Sequence, residues 1–116
     1  MKEIKAYVHG NRIADVIAAI EESDVFSDES PRGVRNINAT TVHSLLKAVN
    51  SAEQRYSVQL GEAVIDEVRL ELLCDDDQVE ALVTLIEQTA RTGQRVAGWI
   101  TVTDIVQAVT IGGRHV

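Results

Sequence analysis

Two stretches of alternating apolar and polar positions are each followed by a helical pattern. Residues 4–8 alternate in this way, and apolar residues then recur at helical spacing over 13–20. The same succession occurs again over 68–72 and 79–86. A period of two indicates a half-buried strand, and apolar residues at i, i+3, i+4 and i+7 indicate a helix with one apolar face. The chain therefore contains a strand–helix unit twice.

The second unit begins 64 residues after the first, at position 68 against position 4. A repeated strand–helix unit with further strand after each helix is typical of the ferredoxin-like βαββαβ sandwich, an α+β fold. We predict strands over 2–9, 34–41, 64–74 and 98–104, helices over 11–23 and 76–91, and a short extra C-terminal strand over 106–111. Asp75 and Gln78 have the spacing of a capping box for the second helix, and Gly93 is suited to its C-terminal end.

Residues 44–62 fit no single element. The part over 44–54 is compatible with a short helix, and the part over 54–60 alternates like an edge strand. An excursion this long between two pairing strands is uncommon in a small domain and is often functional. We interpret it as a functional insertion within one domain that spans 1–116.

The composition predicts an aliphatic core. Hydrophobic residues make up 45% of the chain but aromatic residues only 3%. Two helices cover one face of a sheet, so we expect the other face to be covered by association into an oligomer. The net charge of −7 argues against a general nucleic-acid binder, which needs clustered Lys and Arg. The single cysteine, Cys74, and the absence of a signal-like apolar start predict a cytoplasmic protein.

The segment 92–98, with the preceding Arg91, is the best candidate for a binding loop. Its two glycines permit close backbone approach, and its arginines and threonine supply charge and a hydroxyl, as a phosphate site needs. The candidate residues, together with one arginine near the C-terminus, are Arg91, Thr92, Gly93, Gln94, Arg95, Gly98 and Arg114. A plain helix cap followed by a turn explains the same residues without any ligand.

Other reactive residues carry weaker signals. His9, His43 and Cys74 lack metal-ligand spacing, so structural or surface roles are expected and no metal site is predicted. No nucleophile–base pair is recognisable, and no catalytic residue is assigned. Trp99 is interpreted as a packing residue, with stacking on a base or closing of a subunit contact as the alternatives.

Three segments resemble the PII signal-transduction family. They are Glu67–Val79, with its run of three aspartates, Thr89–Gly93, and Gly98–Val102. They are similar to that family's third strand and capped second helix, its A-x-T-G loop and its fourth strand. The opening residues 1–6 also fit, and the resemblance covers almost the whole chain outside 24–62.

The resemblance implies a homotrimer that binds an adenine nucleotide (AMP, ADP or ATP) in clefts between its subunits. Residues 44–62 occupy the position of the family's T-loop, which engages a protein target such as a transporter or an enzyme. Thr92 and Gly93 match the phosphate-side loop, and Gly98 matches the glycine before the fourth strand. The implied function is that of a non-enzymatic sensor.

The chain departs from the classical pattern in its binding loop. Classical members have G-D-G-K where this chain has Val96–Trp99, so the lysine that reaches the phosphates is replaced by Trp99. Arg95 is the nearest replacement cation, and of the cations near the C-terminus only Arg114 lies close to the family's positions. The expected protein is therefore a divergent PII-like sensor and not a classical nitrogen regulator.

Two other classes remain open. A CutA-like protein of metal or anion homeostasis shares the trimeric architecture, and it would gain weight if two or more of His9, His43 and Cys74 converged in space. A small enzyme that uses the subunit clefts is the third class.

Overall fold

A computed structural model describes residues 1–23, 34–45 and 54–112 of the chain. In chain order these residues form β1 (Lys2–His9), α1 (Ile13–Glu22), β2 (Arg35–Ser44), β3 (Gln54–Ser57), β4 (Glu62–Cys74), a 3-10 turn (Asp76–Gln78), α2 (Val79–Thr89) and β5 (Trp99–Asp104). The strands form one antiparallel sheet in the order β2-β4-β1-β5, with β3 paired to β4 outside this path. This is the ferredoxin-like arrangement that the repeated strand–helix pattern predicts.

The core lies between the two helices and one face of the sheet. Strand β1 runs through the centre, with Ile4 opposite Leu72 of β4 and opposite Val102 of β5. Alternate residues of β1 and β4 and one stripe of each helix are buried together, as the apolar periodicity predicts. The buried cluster is aliphatic and consists of Ile4, Ala6, Val8, Val16, Ile20, Val34, Leu70, Leu72, Cys74, Leu82 and Ile86.

The sheet face away from the core is polar. Lys5 pairs in register with Glu71, and Tyr7 pairs with Arg69 and with Trp99. The Nε atom of Arg69 lies 2.8 Å from the Glu71 carboxylate. The alternation that builds the aliphatic core thus leaves a second face of charged and aromatic side chains. Any oligomer that uses this face must provide hydrogen-bond or ion-pair partners for the charged groups.

Strands β2 and β4 extend the sheet beyond the end of β1. Ser44 at the end of β2 and Gln54 at the start of β3 both pair with Ile65, so β2 and β3 flank β4 on opposite sides. A turn over 58–61 closes the β3–β4 hairpin, and Gly61 there has a φ of +65°. Of the two interpretations of 44–62, the edge strand is correct over 54–57, whereas Ser44 belongs to β2; residues 46–53 lie outside the described part of the chain.

Two predictions about element ends are wrong. The described residues 105–112 contain no strand, because no described residue pairs with them beyond the hydrogen bond from the Ile105 N–H to the Met1 carbonyl. The predicted capping box is also absent. Asp75 provides no side-chain cap; instead its carboxylate lies 3.0 Å from Nη2 of Arg35.

Candidate functional site

A cleft of about 610 Å³ opens between the C-terminal half of α2, the segment 90–98 and the adjoining ends of β1 and β5. This volume lies within the usual range for small-molecule sites, about 300–1,000 Å³. Aliphatic side chains of α2 and the sheet make up one part of its wall, and the loop and two aromatic residues make up another. The lining residues are Tyr7, Val8, Val83, Ile86, Glu87, Ala90, Arg91, Gly93, Gln94, Arg95, Val96, Ala97, Gly98, Trp99 and Ile100.

Two glycines shape the loop for different reasons. Gly93 has a φ of +90°, a conformation that L side chains rarely adopt, and a Cβ there would meet open space. Gly98 instead lies against β1, where a Cβ would overlap the carbonyl oxygen of Tyr7. Gly93 therefore turns the chain out of α2, and Gly98 lets it return closely onto the sheet.

Hydrogen bonds between Thr92 and Gln94 hold the turn at Gly93. The backbone N–H of Gln94 donates to the Thr92 hydroxyl oxygen, with 3.3 Å between nitrogen and oxygen. The same hydroxyl donates to Oε1 of Gln94 at 3.2 Å. This is the local side-chain-to-backbone bonding typical of Ser/Thr turns. The hydroxyl is already engaged within the loop, so its first role here is to fix the backbone.

Three charged side chains are found among the described residues that line the cleft: Glu87, Arg91 and Arg95. Nε and Nη2 of Arg91 donate to the two carboxylate oxygens of Glu87, each at 2.6 Å. This pairing lowers the pKa of Glu87 and raises that of Arg91. Arg95 is exposed and makes no hydrogen bond or ion pair with a described residue, so it is the cation most available to a ligand.

Trp99 is 65% exposed. It pairs in register with Tyr7 across β1 and β5, and both residues line the cleft. The interpretation of Trp99 as a packing residue is therefore wrong for the single chain. An exposed indole beside an anion-compatible loop is suited to stacking on a ring or to contact with another protein surface.

The structure brings most of the predicted binding residues together. Arg91, Gly93, Gln94, Arg95 and Gly98 line the cleft, and Thr92 lies within the same turn and bonds to Gln94. The remaining residue, Arg114, lies outside the described residues.

Sequence reasoning missed Glu87 and Tyr7. Glu87 precedes Arg91 by four residues on a helix, the spacing at which opposite charges meet, so the pair was detectable in principle. Tyr7 carried no such signal, because its place at the cleft depends on the register between β1 and β5.

The histidine and cysteine set does not converge. His9 pairs in register with Glu67, whereas Cys74 pairs with Lys2 seven residues away, about 23 Å at roughly 3.3 Å per residue. His43 pairs with Asp66, the neighbour of Glu67, so it lies on the opposite face of the sheet from His9. Within the described ranges no group of three or more His, Cys, Asp or Glu side chains is placed to hold a metal ion.

A buried acid lies where β1 ends. His9 and Glu67 are 1% and 3% exposed, so of the structural and surface roles expected for His9 the surface role is excluded. Burial raises the pKa of Glu67, and this effect outweighs the opposing influence of His9 and of a hydrogen bond with Ser44. These three residues join the ends of β1 and β2 to the part of β4 that continues into the hairpin.

Comparison with known proteins finds a relative that matches nearly the whole chain. The chain is similar to the nitrogen regulatory protein P-II of Porphyra purpurea. The two are 22% identical over 111 residues, which cover 96% of this chain and 91% of the relative. No protein-family model matches the chain. The similarity, extending over nearly both lengths, supports a relationship to the PII superfamily.

Among the described helices, none is long and apolar enough to cross a membrane.

Proposed function

We propose that the protein is a PII-like regulatory protein that senses an adenine nucleotide. The observation that carries this proposal is the cleft, in which a positive-φ glycine, an available arginine and an aromatic side chain meet beside an aliphatic wall. The arginine and the backbone N–H groups of such a site can bind a phosphate group. The apolar wall and the aromatic side chain can contact and stack on the adenine ring. The similarity to a nitrogen regulatory protein P-II agrees with this assignment.

The proposed assembly is a homotrimer with its nucleotide sites between subunits. Apolar side chains after β5 support association of the chain with itself: Val106 and Ile111 are 101% and 98% exposed, and Val109 is 73% exposed. Clustered exposed apolar residues favour burial in an interface. In the trimer, the segment 105–112 would cover apolar surface of a neighbouring subunit and close the open side of its cleft.

The output of the sensor is assigned to residues 44–62, the T-loop-like insertion. Binding in the cleft would change the arrangement of this insertion and so alter contact with a protein target such as a membrane transporter or a metabolic enzyme, in the cytoplasm. A ligand shifts such an equilibrium only through its differential affinity for the two arrangements. The protein itself carries out no reaction in this proposal.

Isothermal titration of the purified protein with AMP, ADP and ATP tests the ligand assignment, and sedimentation equilibrium of the same samples tests the assembly. The proposal predicts saturable binding with one site per chain and a trimeric mass at micromolar concentration. At a nucleotide concentration 100 times the Kd, the free energy of unfolding should rise by about 2.7 kcal/mol. Absence of heat with all three nucleotides would overturn the nucleotide assignment, and a monomeric mass would overturn the trimer.

A further inference from the structure

The two charged residues that α2 and its end contribute to the cleft neutralise each other. Glu87 and Arg91 are one helical turn apart and meet through two parallel hydrogen bonds of 2.6 Å. This geometry uses the Nε–Nη2 edge of the guanidinium and both oxygens of the carboxylate. A ligand anion can therefore reach Arg91 only at its remaining Nη1–Nη2 edge, with the Glu87 carboxylate on the other side of the same group.

The charge that the described lining residues of one chain offer a ligand is consequently small. Of the described lining residues, Arg91 and Arg95 are positive and Glu87 is negative, which leaves a net charge of +1. The cleft also faces the C-terminal end of α2, where the last backbone carbonyls carry a partial negative charge. Each additional phosphate on a ligand would add repulsion from Glu87 and from this helix end, with no further cation from these residues to offset it.

We propose that Glu87 is a specificity-determining residue, which limits the cleft to anions of low charge and so favours a nucleoside monophosphate over a triphosphate. The inference rests on the proposed nucleotide function and concerns which phosphate chain the site accepts. Specificity of this kind commonly uses a repulsive element against the wrong ligand in addition to attraction for the right one.

Glu87 is placed firmly enough to act in this way. Its neighbour Ile86 is buried in the core, which fixes the rotation of α2 about its axis. The C-terminal end of α2 is held by the residue that precedes α1, because Arg12 donates to the Thr89 carbonyl through Nε at 3.1 Å and Nη2 at 2.7 Å. The carboxylate is therefore presented to the cleft by a fixed helix, and not by a loop that could move it away from the ligand.

The test compares the full-length wild-type protein with Glu87→Gln and with a matched control, Glu80→Gln. Glu80 is an exposed glutamate of the same helix and does not line the cleft. Its replacement by glutamine makes the same change in net charge away from the ligand. The dissociation constants of AMP, ADP and ATP are measured for each protein by isothermal titration at one ionic strength. Circular dichroism checks that the helices are retained.

The wild-type protein should bind AMP at least as tightly as ATP. Glu87→Gln should tighten ATP binding roughly fivefold and AMP binding less than about twofold, the scale of one solvent-exposed charge interaction. Glu80→Gln should leave the ratio of the two constants unchanged. The inference is overturned if Glu87→Gln does not change the ATP-to-AMP ratio relative to Glu80→Gln, or if the wild-type protein prefers ATP by tenfold or more. Failure of all three proteins to bind any of the nucleotides would instead overturn the proposed function itself.

Discussion

The backbone at Gly98 lies directly against the carbonyl group of Tyr7. A Cβ at position 98 would overlap the Tyr7 carbonyl oxygen and would lie 3.2 Å from its carbon. The same two segments continue into the register pair of Tyr7 with Trp99, the aromatic residues of the cleft. The close approach at Gly98 therefore sets where the candidate binding loop joins the sheet.

Replacing Gly98 by alanine should destabilise the protein much more than the same change at Gly93. Overlap with backbone atoms can be relieved only by moving β5 away from β1, which should cost about 3 kcal/mol of the free energy of unfolding. At Gly93 the added Cβ meets open space, and only the φ of +90° opposes it, at a cost of about 1 kcal/mol.

Urea denaturation followed by the fluorescence of Trp99, the only tryptophan, measures both variants at one protein concentration. Equal losses of stability in the two variants would show that the close approach at Gly98 is not a constraint of the fold.

Arg12 should link the two helices energetically. Its guanidinium donates two hydrogen bonds to the Thr89 carbonyl at the end of α2, and its Nη1 lies 2.9 Å from Asp15 of α1. Arg12→Met should lower the free energy of unfolding by about 2 kcal/mol, since hydrogen bonds to charged groups contribute about 1.5–3 kcal/mol.

The matched control is Asp15→Asn, which removes only the ion pair with an exposed carboxylate and should cost less than about 0.5 kcal/mol. Thermal denaturation of the two variants separates the contributions. If Asp15→Asn cost as much as Arg12→Met, the stabilisation would come from the ion pair and not from the bond between helices.

Glu67 should make stability depend on pH in a defined direction. Burial raises the pKa of Glu67 in the folded protein above its ordinary value of 4.5. The folded state therefore holds this proton more tightly than the unfolded state. The stability that protonated Glu67 provides is complete below pH 4.5 and is lost as the pH rises through the folded-state pKa.

Glu67→Gln removes this titration. The stability of the variant relative to the wild type should increase as the pH is raised from 4.5 and then level off above the folded-state pKa. Urea denaturation at a series of pH values tests this, with Glu80→Gln, at an exposed glutamate of α2, measured alongside as the control for the loss of one carboxylate. A difference for Glu67→Gln that falls with pH would mean that the carboxylate is stabilised as an anion.

Periodicity was sufficient to predict most of the fold. The strands at 2–9 and 98–104 and both helices are present close to their predicted bounds, because alternation and helical spacing report burial directly. The strand predicted over 106–111 is not formed, because apolar periodicity does not report whether a segment has a strand to pair with. Val106, Val109 and Ile111 have the apolar character of a strand, but a strand also requires a partner, and within the single chain none of the described residues provides one.

The candidate site was less accessible to sequence reasoning. Arg95 and the loop glycines were identifiable from residue type, since glycines and cations in a short loop suit an anion. The i,i+4 spacing of Glu87 and Arg91 is enough to predict their ion pair, but the position of both side chains at the cleft depends on the tertiary structure. The burial of His9 with Glu67 likewise depends on the register of β1 against β4, which a single sequence does not specify.

The binding of AMP and of adenosine to the wild-type protein and to Arg95→Ala, measured by isothermal titration, tests most directly whether this cleft holds a phosphate. Arg95 is exposed and makes no bond with a described residue, so its removal should leave the melting temperature of the free protein nearly unchanged. Arg95→Ala should weaken AMP binding by about 1.5–3 kcal/mol, the contribution of a hydrogen bond to a charged group, and should leave adenosine binding unaltered. AMP binding to Arg95→Ala as tight as to the wild-type protein would contradict the assignment of this cleft as the phosphate site.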